Sequence, residues 1–334
     1  MATHTRYAPD RGLTARMTVT MFLLGLVFVA FVALIIGIMT ATNQSAGAII
    51  VVALIFGGGS AFISLFYSDK IALAAAGARE VSPQDAPQLH AIVDRLCALA
   101  DMDKPRVAIA PTRMPNAFAT GRNSKNSVLC VTDGLLGLGL TTEELEGVLA
   151  HELSHVAHKD VQVMTIASLL AIVAGLMVRF AFYSELFGGG RRGGNNNGNA
   201  ALLIPLIMLA SIVVYAISFL LIRVLSRYRE LAADRSGALL TQNPSALISA
   251  LSKVSGSMNR VPTQDLRSAE PLNAFYFAPA MKMVGGGGRD QGGGGFSLSA
   301  LFSTHPSLDK RIEQLEKIQR ELGEVGPADP RGLR

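Results

Sequence analysis

Along the chain, long apolar stretches almost free of charge alternate with segments whose apolar positions recur every three or four residues. Residues 17–39, 46–67, 161–183 and 200–222 are of the first kind. Each is close to the roughly 20 apolar residues needed to cross a hydrocarbon core of about 30 Å. The first two carry no charge, the third has Arg179 near its end, and the fourth contains Pro205, which a membrane helix tolerates. Four transmembrane helices are predicted. For the second pair the alternative is a hydrophobic hairpin lying on the membrane surface or buried in the protein.

The periodic segments lie between and after these stretches. Residues 86–100 read as a helix, with Leu89, Ile92, Val93, Leu96 and Leu99 on one face. Residues 106–110 and 127–131 read as short strands, punctuated by Pro105, Pro111 and Gly121. A helix over 142–158 follows, opened by Thr141 as a hydroxyl cap with Glu143 and Glu144 in its first turn. Helices are also predicted over 226–240, 244–253 and, charged and amphipathic, 308–321. Glycine-rich 188–199 and 285–295 read as loops, and the tail after Gly323 as disordered. This divides the chain into 1–68 with two spans, a polar domain begun by 69–160, a second apolar hairpin at 161–222, and the rest of the polar domain at 223–334.

Composition agrees with a membrane protein. Half of the 334 residues are hydrophobic and there is no Trp. Arg6, Arg11 and Arg16 precede the first span, whereas the turn at 40–45 is uncharged, so the positive-inside rule places the N-terminus and the polar domain in the cytoplasm. Arg191 and Arg192, in the second external turn, run mildly against that orientation. No cleaved signal peptide is expected, because the first apolar stretch is too long. The net charge of +5 is loop charge of this kind, and no basic cluster interleaved with aromatics points to nucleic acid. Cys97 and Cys130 lack CxxC spacing and are expected as buried free thiols in a reducing compartment.

The chemistry enters at His151-Glu152-Leu153-Ser154-His155. Residues four apart share a helix face, so two imidazoles can meet one metal ion. Glu152 can then reach a water activated by that ion rather than the ion itself. A catalytic zinc usually has a third protein ligand. Glu230 and Asp234, four apart in 226–234, offer one ligand and one carboxylate to hold a ligand histidine; alternatively both belong to a surface cluster with Arg227, Arg229 and Arg235. His158 is not expected as a ligand, because His151 and His155 already fill the facing geometry. His305 is open to two readings, an oxyanion stabiliser near the metal or else a helix-capping or exposed histidine.

The set HELSH, SRYRELAADRSG downstream, PNAFATG upstream and THPSLDKRI near the end resembles the HtpX-type membrane zinc metallopeptidases, relatives of the CAAX prenyl proteases. The likeness covers nearly the whole chain, with four apolar segments in matching order; only the two glycine-rich inserts depart from it. The resemblance implies a mainly α fold with a small β element, an α+β zincin-like peptidase domain facing the cytoplasm beside four transmembrane helices. It implies one zinc per subunit held by His151, His155 and Glu230, and a role in clearing damaged membrane proteins. It also implies that Asn116, Ala117 and Phe118 lie on a strand beside the site that pairs with extended substrate. The expected partners are thus protein or peptide substrates and the bilayer, with no nucleic acid. A transporter or scaffold with an incidental or structural metal is the competing class. Against it, the spans lack intramembrane ionisable residues apart from Arg179. A prenyl-protein processing protease is a third possibility.

If Glu230 completes a site begun by His155, the chain between them crosses the membrane an even number of times. Few residues separate His155 from the third span, about 9 Å of helix, so the metal is expected near the membrane surface.

Overall fold

A computed structural model describes residues 11–41, 58–188, 198–258 and 305–324. The chain divides into two compact units, one of Met1–Leu13, Phe66–Val161 and Ser226–Arg334, the other of Thr14–Leu65 and Gln162–Leu225. The fold is mainly helical with one small mixed sheet. Helices α1 (Arg11–Ala41) and α2 (Gly59–Ala76) come first. Strands β1 (Arg79–Glu80), β2 (Arg106–Ala110), β3 (Ala117–Gly121) and β4 (Ser127–Thr132) follow, with α3 (Pro87–Ala100) between β1 and β2. The short helix α4 (Asp133–Leu136), the motif helix α5 (Thr142–Ala157) and the long helices α6 (Asp160–Gly188) and α7 (Gly198–Thr241) come next. Helices α8 (Pro244–Met258) and α9 (Leu308–Glu324) complete the described chain.

In the second unit, Leu24, Phe31 and Ile35 of α1 pack with Ala167, Leu170, Ala174 and Met177 of α6 and with Ile207 and Val214 of α7. Large apolar side chains such as Phe22, Val29, Leu209 and Val213 stay exposed around this core. That is the arrangement expected of helices whose solvent is lipid. Ser64 of α2 and Thr165 of α6 satisfy each other at 2.9 Å. Among the described residues three helices are long and apolar enough to cross a membrane, over Arg11–Ile38, Asp160–Arg179 and Pro205–Thr241. The remaining expected span, 46–67, lies outside the described residues up to 57, and its end forms the start of α2. Both glycine-rich inserts lie outside them, 188–199 apart from its ends.

The first unit is built around the sheet, in the order β1-β2-β4-β3, with β2 and β4 parallel and the other pairs antiparallel. Strand runs such as Ser127–Thr132 are apolar and buried throughout because both faces are covered. One face carries Val107, Ala117, Leu129 and Val131 into a core with α3, α5, α8 and α9. The other packs Ala108, Phe118, Val128 and Cys130 against Ala72 of α2.

Helix α5 starts where its sequence says it should. Thr141 Oγ1 accepts from the Glu144 amide at 3.2 Å, and Glu144 Oε2 accepts from the Thr141 amide at 2.8 Å, a reciprocal cap. Two glycines let other helices press on it. A Cβ at Gly147 would stand 3.3 Å from the Leu247 Cα of α8, and one at Gly237 of α7 would stand 2.9 Å from the His151 amide nitrogen. The second approach sets the Glu230 and Asp234 face of α7 against the two histidines. Cys97 and Cys130 are free and buried, and burial pushes their thiols up to about 11 and about 12, which leaves them protonated and inert.

Candidate metal centre

His151 and His155 lie one helical turn apart on α5, and their Nε2 atoms face each other at 3.3 Å. Glu230 comes from α7, with Oε1 3.5 Å from His155 Nε2 and Oε2 3.7 Å from His151 Nε2. All three ligand atoms lie within 4.8 Å of one another. Glu230 is 7% exposed and Asp234 fully buried, so neither belongs to a surface charge cluster.

The far nitrogens of the two rings show why this arrangement suits a cation. Nδ1 of His151 lies 2.9 Å from Asp234 Oδ1, and Nδ1 of His155 lies 2.5 Å from Asp160 Oδ2. A carboxylate at Nδ1 holds the ring proton there and leaves the Nε2 lone pair outward. Two such lone pairs and a carboxylate then converge on one point, where Glu230 Oε2 is buried with His305 Nδ1 3.1 Å away. Three acceptors facing one another repel unless a metal ion or a ring proton lies among them. Tetrahedral zinc with bonds of about 2.0 Å separates its ligands by about 3.3 Å, close to the spacings seen here. The residues fit a metal ion.

Each supporting carboxylate is itself clamped. Arg311 of α9, almost completely buried, gives Asp234 two hydrogen bonds of 2.7 and 2.6 Å through Nε and Nη2. Its Nη2 also lies 3.5 Å from His151 Nδ1. Arg229 Nη2 stands 2.8 Å from Asp160 Oδ2. Burial opposes charge on His151, yet the Asp234 carboxylate prevails and raises it to about 9, so the pocket's field favours a positive charge there. Burial pushes the Glu152 carboxyl above its ordinary range.

The sequence-predicted residues divide as follows. Glu152 is buried on α5, beside the first ligand. His305 is buried, with Nδ1 3.1 Å from Glu230 Oε2, which excludes the exposed reading. His158 caps the end of α5, its Nε2 3.3 Å from Ser236 Oγ, and takes no part in the cluster. Ala117 and Phe118 open β3, the edge strand on the α5 side of the unit, and buried Asn116 stands just before it. Phe118 packs on the α2 face of the sheet, so any pairing with a peptide would use the backbone of β3. Asp160 and Arg311 were missed. Asp160 left no pattern beyond its place in the first turn of α6. Arg311 did leave one, since it interrupts the apolar stripe of Leu308, Leu315 and Ile318 on α9.

Comparison with known proteins reaches nearly the whole chain. Residues 83–319 match the model of peptidase family M48. The chain is 54% identical over 320 residues to "Protease HtpX homolog 1" of Streptomyces coelicolor, covering 96% of this chain and 97% of that one. It is 49% identical over 316 residues to "Protease HtpX homolog" of Moorella thermoacetica, covering 94% and 97%. The crystal structure of S. mikatae Ste24p aligns at a TM-score of 0.44 and 16% identity, over 92% of this chain and 66% of that one, a likeness too weak to carry an argument.

Proposed function

The chain belongs to peptidase family M48, and from that premise we propose that it is a multi-pass membrane endopeptidase that uses one zinc ion, held by His151, His155 and Glu230, to hydrolyse peptide bonds. The convergence of two imidazole lone pairs and a buried carboxylate, with Glu152 one residue from the first ligand, carries this reading. Two nitrogens and one oxygen suit zinc, whereas calcium and magnesium take oxygen ligands. When bound, zinc supplies Lewis-acid polarisation of the scissile carbonyl and acidifies a water.

The protein's own residues do the rest. Glu152 accepts a proton from the attacking water and returns it to the leaving amine; its raised proton affinity suits both transfers. Asp234 fixes the His151 ring, and Arg311 fixes Asp234. His305, beside Glu230, offers an N–H to the developing oxyanion. An extended substrate pairs with the backbone of β3 at Ala117 to Gly121, with Asn116 at its start, so sequence demand is low. Low sequence demand and apolar helices suit damaged or misfolded membrane proteins as substrates, cut on the cytoplasmic side. The peptidase part is read as zincin-like, and the helices as four spans.

Purified protein should cleave casein in a zinc-dependent manner, and Glu152→Gln should bind zinc but fall by about 10²–10⁴ in rate. Near-normal turnover by that variant would remove Glu152 from the mechanism. Cysteines placed at Thr42 and Asn196 should react with an impermeant label outside intact cells, and those at Ser124, Ser257 and Thr304 should not. Outside labelling at Ser257 with Ser124 protected would put the two ligand-bearing segments on opposite sides and sink the site.

A further inference from the structure

Between α5 and α6 the chain turns in two residues, and Lys159 takes a left-handed backbone conformation with φ of 55°. Asp101 and Gln242 end α3 and α7 in the same conformation, which turns the chain sharply out of a helix. The turn brings the first residue of α6, Asp160, back to within 2.5 Å of the His155 ring. Asp160 is 3% exposed, and the same oxygen that meets His155 also meets Arg229, the neighbour of Glu230. The His151 arm runs through Asp234 to Arg311 in the same manner, from different helices. We propose that Asp160, locked by Arg229, is the positioning residue for His155. It holds the ring proton on Nδ1, aims Nε2 at the ion and makes that nitrogen a stronger donor. The inference rests on the metallopeptidase reading above.

The alternative is that Asp160 merely begins α6, where an acidic residue interacts well with a helix N-terminus. That role needs no particular oxygen on His155, and it would leave metal properties untouched.

The test compares the wild-type full chain with Asp160→Asn, whose amide keeps the size and a polar group at the helix start. Zinc affinity is measured by chelator competition, and the visible spectrum is recorded with saturating cobalt(II). Asp160→Asn is expected to bind zinc about 10–100-fold more weakly and to shift the cobalt bands, with little change in helical content. Wild-type affinity with an unshifted cobalt spectrum in Asp160→Asn overturns the proposal and leaves the zinc site standing. If wild type itself bound neither ion, the underlying reading would fail instead. Should Asp160→Asn not fold, Arg229→Gln decides, since it leaves both His155 and Asp160 in place. A several-fold loss of zinc affinity there supports the lock, and an unaltered affinity and cobalt spectrum overturn it.

Discussion

The motif helix α5 carries a buried polar cluster at each end, and the two are finished differently. At the N-terminal end, Glu144 Oε1 accepts from Ser249 at 2.5 Å, and Oε2 accepts from Lys253 at 2.7 Å and from the Thr141 amide. Glu146 next to it pairs with Arg95. Every Glu144 oxygen has a donor, and the cluster ties α5 to α8. At the C-terminal end the outer groups are equally well served, since Asp234 and Asp160 each hold a histidine and an arginine. The inner groups, Nε2 of His151, Nε2 of His155 and Glu230 Oε2, instead point at one another. Burial alone does not separate structure from function in this helix. What separates them is whether the buried acceptors are each met by a donor or converge on one another as a ligand set would.

Substitutions at the open end should fall chiefly on the metal. Glu230→Gln should lower zinc occupancy, because it removes a charged ligand. Asp234→Asn should keep more metal at roughly 10–100-fold weaker affinity. It should also lower the melting temperature, because it leaves the almost completely buried Arg311 without its counter-charge. If Asp234→Asn abolished binding while Glu230→Gln did not, the two roles would be exchanged. Metal analysis beside thermal melting reads both effects.

At the closed end the effects should be smaller and should leave the metal alone. Glu144→Gln should cost about 1–2 kcal/mol of stability with unchanged zinc affinity. The loss should depend on pH. Burial favours the neutral carboxyl, yet hydrogen bonds from Lys253, Ser249 and the Thr141 amide hold Glu144 below its ordinary 4.5. A carboxylate lowered on folding adds stability above the unfolded value and loses it as pH falls through the folded one. The gap in stability between wild type and Glu144→Gln should therefore be full near neutrality and narrow below about pH 4.5. A gap that is constant with pH would remove the ionic part of this tie. Altered zinc affinity in Glu144→Gln would erase the distinction between the two ends.

How much of this could be read from sequence depended on whether a periodicity carried it. The helices around Leu89 and Leu149 are legible because burial on one face leaves a regular spacing, and the strands at 106–110 and 127–131 because they are short apolar runs bounded by turn residues. His151 and His155 are legible for the same reason, since one helix supplies both. Glu230 and Asp234 are visible only as a pair; that both are buried beside the two histidines follows from α7 passing close over His151 at Gly237. The strand β3 was harder, because its short apolar run lies between Pro115 and Gly121 and is buried by neighbours distant in sequence. Asp160 and Arg311 act by reaching the rear of a ring, one across a tight turn and one across 160 positions, and no spacing rule covers that. The arginine on the apolar stripe of α9 was the one available clue.

The open end of α5 is proposed as a zinc site in which Glu152 takes part without binding the ion. Metal content of the purified full chain, compared among wild type, Glu152→Gln and His155→Ala, tests it most directly. The account predicts one zinc per chain in the first two and almost none in the third. Retention of stoichiometric zinc by folded His155→Ala would contradict it, as would loss of zinc from Glu152→Gln.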